Sequence, residues 1–284
     1  MDWINEKNTN MKKITTFIAA LLFCIHGNAQ TERWDALMAQ VKNYTLQKEY
    51  AKAIQCNEEL IADLEAHGVT GLSETIRNSN ALNYLYLAVP LIKEKKYDDS
   101  KAYLDKAIEN AKAGSKTYYM VQLYFGHWYA YQSLDIKLQN GDLNKAIEYC
   151  VNAEQHFEKA QAPDRVLSQK ISHAGLLSDL SRNNEAVVLY KGIIEECASD
   201  ANLDVIRGQA LCELGGIEYS KEEYQSAISH LEEAYPLCLK SKDKSYAKIT
   251  ASRLHRLYTN GIPEPGKAKL WEQREAEMSQ IINQ

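Results

Sequence analysis

The pentapeptide Tyr224-Gln225-Ser226-Ala227-Ile228 recurs in altered form along most of this 284-residue chain. Earlier copies read Tyr50-Ala51-Lys52-Ala53-Ile54, Tyr97-Asp98-Asp99-Ser100, Leu143-Asn144-Lys145-Ala146-Ile147 and Asn183-Asn184-Glu185-Ala186-Val187, and a weaker echo follows at Pro265-Gly266-Lys267-Ala268. The small residues fall at 53, 100, 146, 186, 227 and 268, so successive copies stand 40 to 47 residues apart. Self-similarity at such a period marks an array of supersecondary units, none of which buries its apolar face alone.

Outward from the phrase, apolar residues recur at three and four. Tyr224, Ala227, Ile228, Leu231, Ala234 and Tyr235 form one broad stripe of a helix. A second helix, from about Asp204 to Tyr219, precedes it and carries Leu211, Leu214 and Gly215. Ser220-Lys221-Glu222-Glu223 makes the short turn between them, so the unit is an antiparallel helical hairpin.

These residues resemble the tetratricopeptide repeat (TPR) family. The fifth copy matches best, with Leu214-Gly215, Tyr224, Ala227 and Ala234. The second offers Tyr84, Leu87, Ala88, Tyr97, Ser100, Leu104 and Ala107, and the first Tyr50, Ala53 and Leu60. The third puts Leu143 in place of the aromatic but keeps Ala146 and Ala153. The fourth is poorest, with Asn183 for the aromatic and Ile193 for the later alanine. The resemblance covers most of residues 32–284 and implies an all-α, right-handed superhelical solenoid of antiparallel helix pairs, with about five to six repeats. It implies that Gly215 and Ala227 let the two helices approach, and that Tyr224 fills the groove of the next hairpin. Two departures stand out. The period exceeds the family's usual length of about 34 residues, and Pro90 and Pro236 fall inside expected helices, which each should kink or end.

Ala66-His67-Gly68-Val69-Thr70-Gly71, Ala113-Gly114-Ser115, Ala160 to Asp164 and Asn260-Gly261-Ile262-Pro263-Glu264-Pro265-Gly266 read as links. The last precedes an expected capping helix over about Gly266 to Ile282. Its inward residues are expected to be Leu270, Trp271, Met278 and Ile281, with Glu272, Arg274, Glu275 and Glu277 outward.

Residues 11–30 have the build of a secretory leader. Met11-Lys12-Lys13 supplies a basic start, Ile14 to Ile25 an apolar run too short to span a bilayer, and Gly27-Asn28-Ala29 the small residues before cleavage. The expected division is therefore a signal peptide over 1–29, with Met11 as an alternative start, and a TPR-like repeat domain with its capping helix over 30–284. Phe23 before Cys24 argues against a lipoprotein signal. No second long apolar stretch follows, so no stable membrane insertion is expected after leader removal. The expected location is periplasmic, with secretion or surface association as alternatives.

With 45% apolar and 25% charged residues the chain has the balance of a folded protein. A net charge of −5, without long Lys/Arg blocks, argues against a phosphate-tracking surface, so nucleic acid is not an expected partner. Cys56, Cys150, Cys197, Cys212 and Cys238 remain after leader removal, an odd number. They read as small buried apolar residues, with Cys197 and Cys212, on consecutive helices, as the one pair to test for a disulfide.

No catalytic, cofactor-binding or metal-binding constellation emerges. Gly114-Ser115-Lys116-Thr117 resembles the end of a phosphate-binding loop, but Ser115 replaces the glycine and no strand leads in. The seven histidines are scattered, and His230 with Glu233 on one helical face reads as an ion pair rather than a metal site. The distinctive stretch is Tyr118 to Tyr131, where Tyr124, Trp128 and Tyr131 lie along one helical face. In a TPR array the first helix of each hairpin lines the concave groove, and the resemblance implies that Trp128 and Tyr131 point there as partner-binding anchors. The competing reading makes these rings packing for long helices.

The leading functional expectation is an exported, non-enzymatic scaffold that binds a protein or peptide through its groove. The alternative is a stand-alone or truncated sensor module of a membrane signalling regulator. An enzyme on a helical solenoid, such as one processing glycans, is a third possibility.

Overall fold

The computed structural model describes residues 28–283. The expected leader lies outside the described residues up to residue 27. Twelve α-helices and no strand occur among the described residues, packed as consecutive pairs. The chain divides into two compact units, the boundary falling after Tyr124.

The first unit holds α1 (Asn28–Leu46) with α2 (Tyr50–Ala66) and α3 (Thr70–Lys93) with α4 (Tyr97–Asn110). The boundary lies inside α5 (Lys116–Leu138). The second unit continues through α6 (Leu143–Lys159), α7 (Pro163–Asp179), α8 (Asn183–Cys197), α9 (Asp204–Ser220) and α10 (Tyr224–Cys238). It ends with α11 (Ser245–Arg256) and α12 (Pro265–Ile282), joined through a π-helical turn over Leu257–Gly261.

The turn inside the hairpins is one device used repeatedly. Lys48, Lys95, Asn140, Ser181 and Glu222 all adopt positive φ, between 52° and 62°. The next residue's N–H then reaches back five positions, as in Lys96 to the Leu91 carbonyl (2.9 Å), Arg182 to Leu177 (2.8 Å) and Glu223 to Glu218 (2.9 Å). This is the Schellman closure, which satisfies carbonyls that the ending helix leaves unpaired. Glycine normally holds the left-handed position because it lacks a Cβ; here lysine, asparagine, serine and glutamate carry it. Pro90 and Pro236 lie inside the last turn of their helices, α3 closing at Lys93 and α10 at Cys238. Each ring removes one N–H to carbonyl bond, and the helix runs only two or three residues beyond it.

In the first unit Trp34 is fully buried among Leu37, Leu60, Ile61, Leu64, Leu72 and Ile76. Its indole N–H donates to Asp63 Oδ2 at 2.6 Å, which satisfies a polar atom that burial would otherwise orphan. In the second unit Leu167, Ala174, Tyr190, Ile193, Ala210 and Leu214 form one cluster. Leu211, Ala227, Leu231, Ala234, Leu254 and Trp271 belong to the next. Backbones approach closely inside the fifth hairpin: a Cβ at Gly215 would lie 2.7 Å from Leu231 Cγ.

Two expectations change. All five described cysteines are free thiols. Cys197 packs with the cluster around Tyr190, whereas Cys212 faces the other way, beside Arg253. Residues on opposite faces of a helix layer cannot meet. In α12, Trp271 and Met278 are buried as expected, but Leu270 (44% exposed) and Ile281 (47%) face solvent. Arg274 turns inward instead, its guanidinium 4.6 Å from the Trp271 ring and 5.1 Å from Tyr235, so a cation over two rings completes the cap.

Candidate functional site

The last three hairpins share one frame. Helices α7, α9 and α11 begin at 163, 204 and 245, and α8, α10 and α12 at 183, 224 and 265, a shift of 41 each time. Positions can therefore be compared one for one. Tyr224 opens α10 with its ring 5.8 Å from that of Tyr219. It lies so close to the following hairpin that a Cβ at Gly261 would sit 3.0 Å from Tyr224 Cδ1. The signature tyrosine thus fills the groove of the next hairpin.

One hairpin earlier the same positions carry Ser178 for Tyr219 and Asn183 for Tyr224. Two rings are replaced by a hydrogen bond, Ser178 Oγ to Asn183 Oδ1 at 3.0 Å. On the facing hairpin Ser220 stands for Gly261 and Gly216 for Leu257. The volume left over is a cavity of about 310 Å³, open to solvent and lined by Ser178, Asn183, Gly216 and Ser220 together with Glu213, Arg253 and Arg256. Apart from Asn183, these residues lie on the first helices α7, α9 and α11, so the cleft opens on the face that the first helices build.

Its electrostatics follow from three charged groups. Arg253 donates to the Cys212 carbonyl (2.6 Å) and to Glu213 Oε2 (2.9 Å), with Cys212 Sγ at 3.2 Å. Glycine at 216 makes room for it, since a Cβ there would lie 2.9 Å from Arg253 Cζ. Arg256 is exposed and has no ion pair among the described residues. Two arginines against one glutamate leave the cleft with one positive charge in excess. Burial raises the Cys212 thiol, with Arg253 partly opposing it, and burial followed by Glu213 raises the Tyr190 and Tyr246 phenols. Thiol and phenols therefore stay neutral at physiological pH.

The hydroxyls carry no activated nucleophile. Ser178 donates to Asn183, and Ser220 donates to the Ile217 carbonyl at 2.7 Å. Elsewhere Ser226 and His230 both engage Glu218, at 3.0 Å and 2.7 Å, which is a shared carboxylate and not a serine–histidine relay. His230 therefore pairs with Glu218, while Glu233 pairs with Arg207. Among the described residues no group of three His, Cys, Asp or Glu is placed to hold a metal. Around Gly114, Asn78 occupies the hydroxyls: its Oδ1 accepts from Ser115 Oγ at 2.9 Å and its Nδ2 donates to Thr117 Oγ1 at 3.3 Å.

The three aromatic candidates separate. Tyr124 is half-buried in the first unit. Trp128 keeps 5% of its surface exposed and meets Tyr129 edge-on at 4.8 Å, whereas Tyr131 is 48% exposed. Tyr131 continues into Leu134 (49%) and Leu138 (68%), an exposed apolar stripe at i, i+3 and i+7 on α5. Lys137 Nζ meets Asp179 Oδ2 at 2.7 Å, so the stripe lies beside the end of α7 that also carries Ser178. The aromatic cluster did not point to the cleft. The signal that did was present: the absent aromatic at Asn183, which first reads as mere degeneracy of the repeat.

No protein-family model matches the sequence, and no curated protein matches it. Solved structures do. BtubC (BKLC) from P. vanneervenii is similar with a TM-score of 0.53 at 15% identity, over 82% of this chain and 92% of that one. The apo form of the quorum sensor NprR from B. thuringiensis is similar with a TM-score of 0.52 at 15% identity, over 98% of this chain and 74% of that one. At such identity the likeness is one of fold, and the fold is of the TPR type.

Proposed function

We propose that this chain, a TPR-type stack of helix pairs, is a non-enzymatic scaffold that binds a protein or peptide segment along the first-helix face of its second unit. The cleft at Asn183 carries the reading. A repeat protein that fills this position with a tyrosine one hairpin later leaves it open here, next to Arg256, which has no carboxylate among the described residues. A solvent-open polar lining without activated nucleophiles suits recognition rather than bond-making. The apolar stripe of Tyr131, Leu134 and Leu138 supplies a second contact region in the same unit. The leader-like residues 11–30 support placing the scaffold outside the inner membrane, in the periplasm. No described helix is long and apolar enough to cross a membrane.

Affinity capture from source cells tests this, with the protein lacking residues 1–29 as bait beside a Tyr131→Ser, Leu138→Ser double variant. Both positions are exposed, so the variant keeps its fold, and loss of a specific protein is expected. Equal recovery by both baits would remove the stripe from the interface; substrate turnover by the purified protein would overturn the non-enzymatic reading. The sensor-module alternative is supported by the fold-level likeness to a quorum sensor. It predicts that membrane-helix and output-domain codons lie in frame after Gln284.

A further inference from the structure

We infer that the cleft at Asn183 receives an aromatic side chain of the partner, with a carboxylate next to it in the partner's sequence. The inference rests on the peptide-binding reading above and names the chemistry of its ligand. The molecule itself shows what such a space accepts. In the next hairpin the equivalent space holds the Tyr224 ring, flanked by Tyr219 and seated on Gly261. At the cleft Ser178 for Tyr219, Asn183 for Tyr224 and Gly216 for Leu257 withdraw side-chain volume without closing the helices over it, and about 310 Å³ remains. Tyr219 and Ile217 on the facing helix present apolar surface for a ring face or edge. Arg253, fixed by Glu213 and the Cys212 carbonyl, presents a guanidinium at the same wall, an arrangement that attracts a ring's π face.

The carboxylate follows from Arg256. Arg253 is already neutralised by Glu213 at 2.9 Å, whereas Arg256 has no carboxylate among the described residues. A partner aspartate or glutamate beside the aromatic residue supplies the missing charge through a guanidinium–carboxylate bond. Asn183, Ser178 and Ser220 bring side-chain amide and hydroxyl groups for the partner's backbone, as a segment entering a groove requires.

Direct binding to the intact chain tests this, read by fluorescence anisotropy with short capped, labelled peptides of the type Gly-Asp-Tyr-Asp-Gly. Companion peptides replace Tyr by Phe or Ala, or both Asp by Asn. Tyr and Phe peptides are expected to bind, the Ala peptide about tenfold or more weakly. Replacing Asp by Asn should weaken binding about fivefold, and this difference should vanish in Arg256→Gln. Asn183→Tyr restores the signature ring and should abolish binding of all these peptides while the thermal midpoint stays level or rises. Should Asn183→Tyr fail to fold, Ser220→Tyr fills the same space from the opposite wall. Binding that ignores Asn183→Tyr, or an Ala peptide equal to the Tyr peptide, overturns the inference. If peptides bind through Tyr131 and Leu138 alone, the scaffold reading survives and this inference falls. If the chain instead self-associates and Asn183→Tyr breaks the dimer, the occupant is a second copy, and the peptide inference falls as well. If no peptide binds and no self-association occurs, this inference falls, while the scaffold reading is decided by the affinity capture.

Discussion

The fourth and fifth hairpins solve one packing problem in two ways. In the fifth, Gly215 lets the helices close until a Cβ there would lie 2.7 Å from Leu231 Cγ, and Ala227 and Ala234 are fully buried. In the fourth, Ala174 stands for Gly215, Tyr190 for Leu231 and Ile193 for Ala234, all buried to 1% or less. The fourth fills with side-chain volume the space that the fifth removes by bringing backbones together. Both bury these positions almost completely, because interiors demand filled volume rather than particular residues. Only at the hairpin's outer end is the exchange left incomplete: Asn183 does not replace the volume of Tyr224, and the cleft results. Degeneracy compensated inside the core is packing; degeneracy left uncompensated at the surface is a site.

Four measurements put this contrast at risk. Tyr190→Ala removes the ring on which the fourth hairpin depends and should cost about 3–5 kcal/mol in denaturant unfolding. A cost below about 1 kcal/mol would mean that this hairpin collapses as readily as a glycine-packed one.

Acid should set the third hairpin apart from these two. Burial, reinforced by Lys159, pushes His156 down to about 4, and its ring stacks on Phe125 (5.0 Å) and Tyr129 (5.4 Å). The unfolded chain takes up that proton near the ordinary histidine pKa, so this contribution is complete above pH of about 6.5 and is lost as pH falls toward about 4. The shift by itself would be worth about 3.4 kcal/mol, and solvent screening of this partly exposed ring reduces the expected loss to on the order of 2 kcal/mol. His156→Phe should flatten that part of a stability–pH profile; an unchanged slope would remove His156 as its cause.

Gly215→Ala sets a clash against a gain in helix propensity, and overpacking should win by about 1 kcal/mol. Gly175→Ala in α7 meets nothing nearer than the Tyr190 hydroxyl at 3.8 Å, so there the sign reverses and the protein gains stability. Equal signs would erase the claimed difference in backbone approach. Last, Ser181 and Glu222 hold the same left-handed turn position at φ 60° and 62°. Ser181→Gly and Glu222→Gly should each stabilise by about 0.5 kcal/mol. Thermal midpoints that move in opposite directions would show that the two turns are not equivalent.

Much of this architecture was legible in the chain. The helix pairs, their links and the roles of Gly215, Tyr224 and Ala227 follow from spacing and from the TPR resemblance, and the structure has them. The inward face of α12 was misjudged at Leu270 and Ile281, because hydropathy cannot anticipate that Arg274 will stack over Trp271 and Tyr235. The suggested pairing of Cys197 with Cys212 failed because neighbouring helices say nothing about which face each thiol takes. Aromatic density drew attention to Trp128, which is buried, while the cleft announced itself only as an asparagine where a tyrosine was due.

Repeat length, hairpin order and the all-α fold were written in the sequence, since helices and their turns are set by residues a few positions apart. The cleft was not. Its walls come from Ser178 and Asn183, from Gly216 and Ser220, and from Arg253 and Arg256, on three successive hairpins. Whether a small residue at one of them leaves a hole depends on what the other two hairpins place opposite, and only packing in three dimensions settles that.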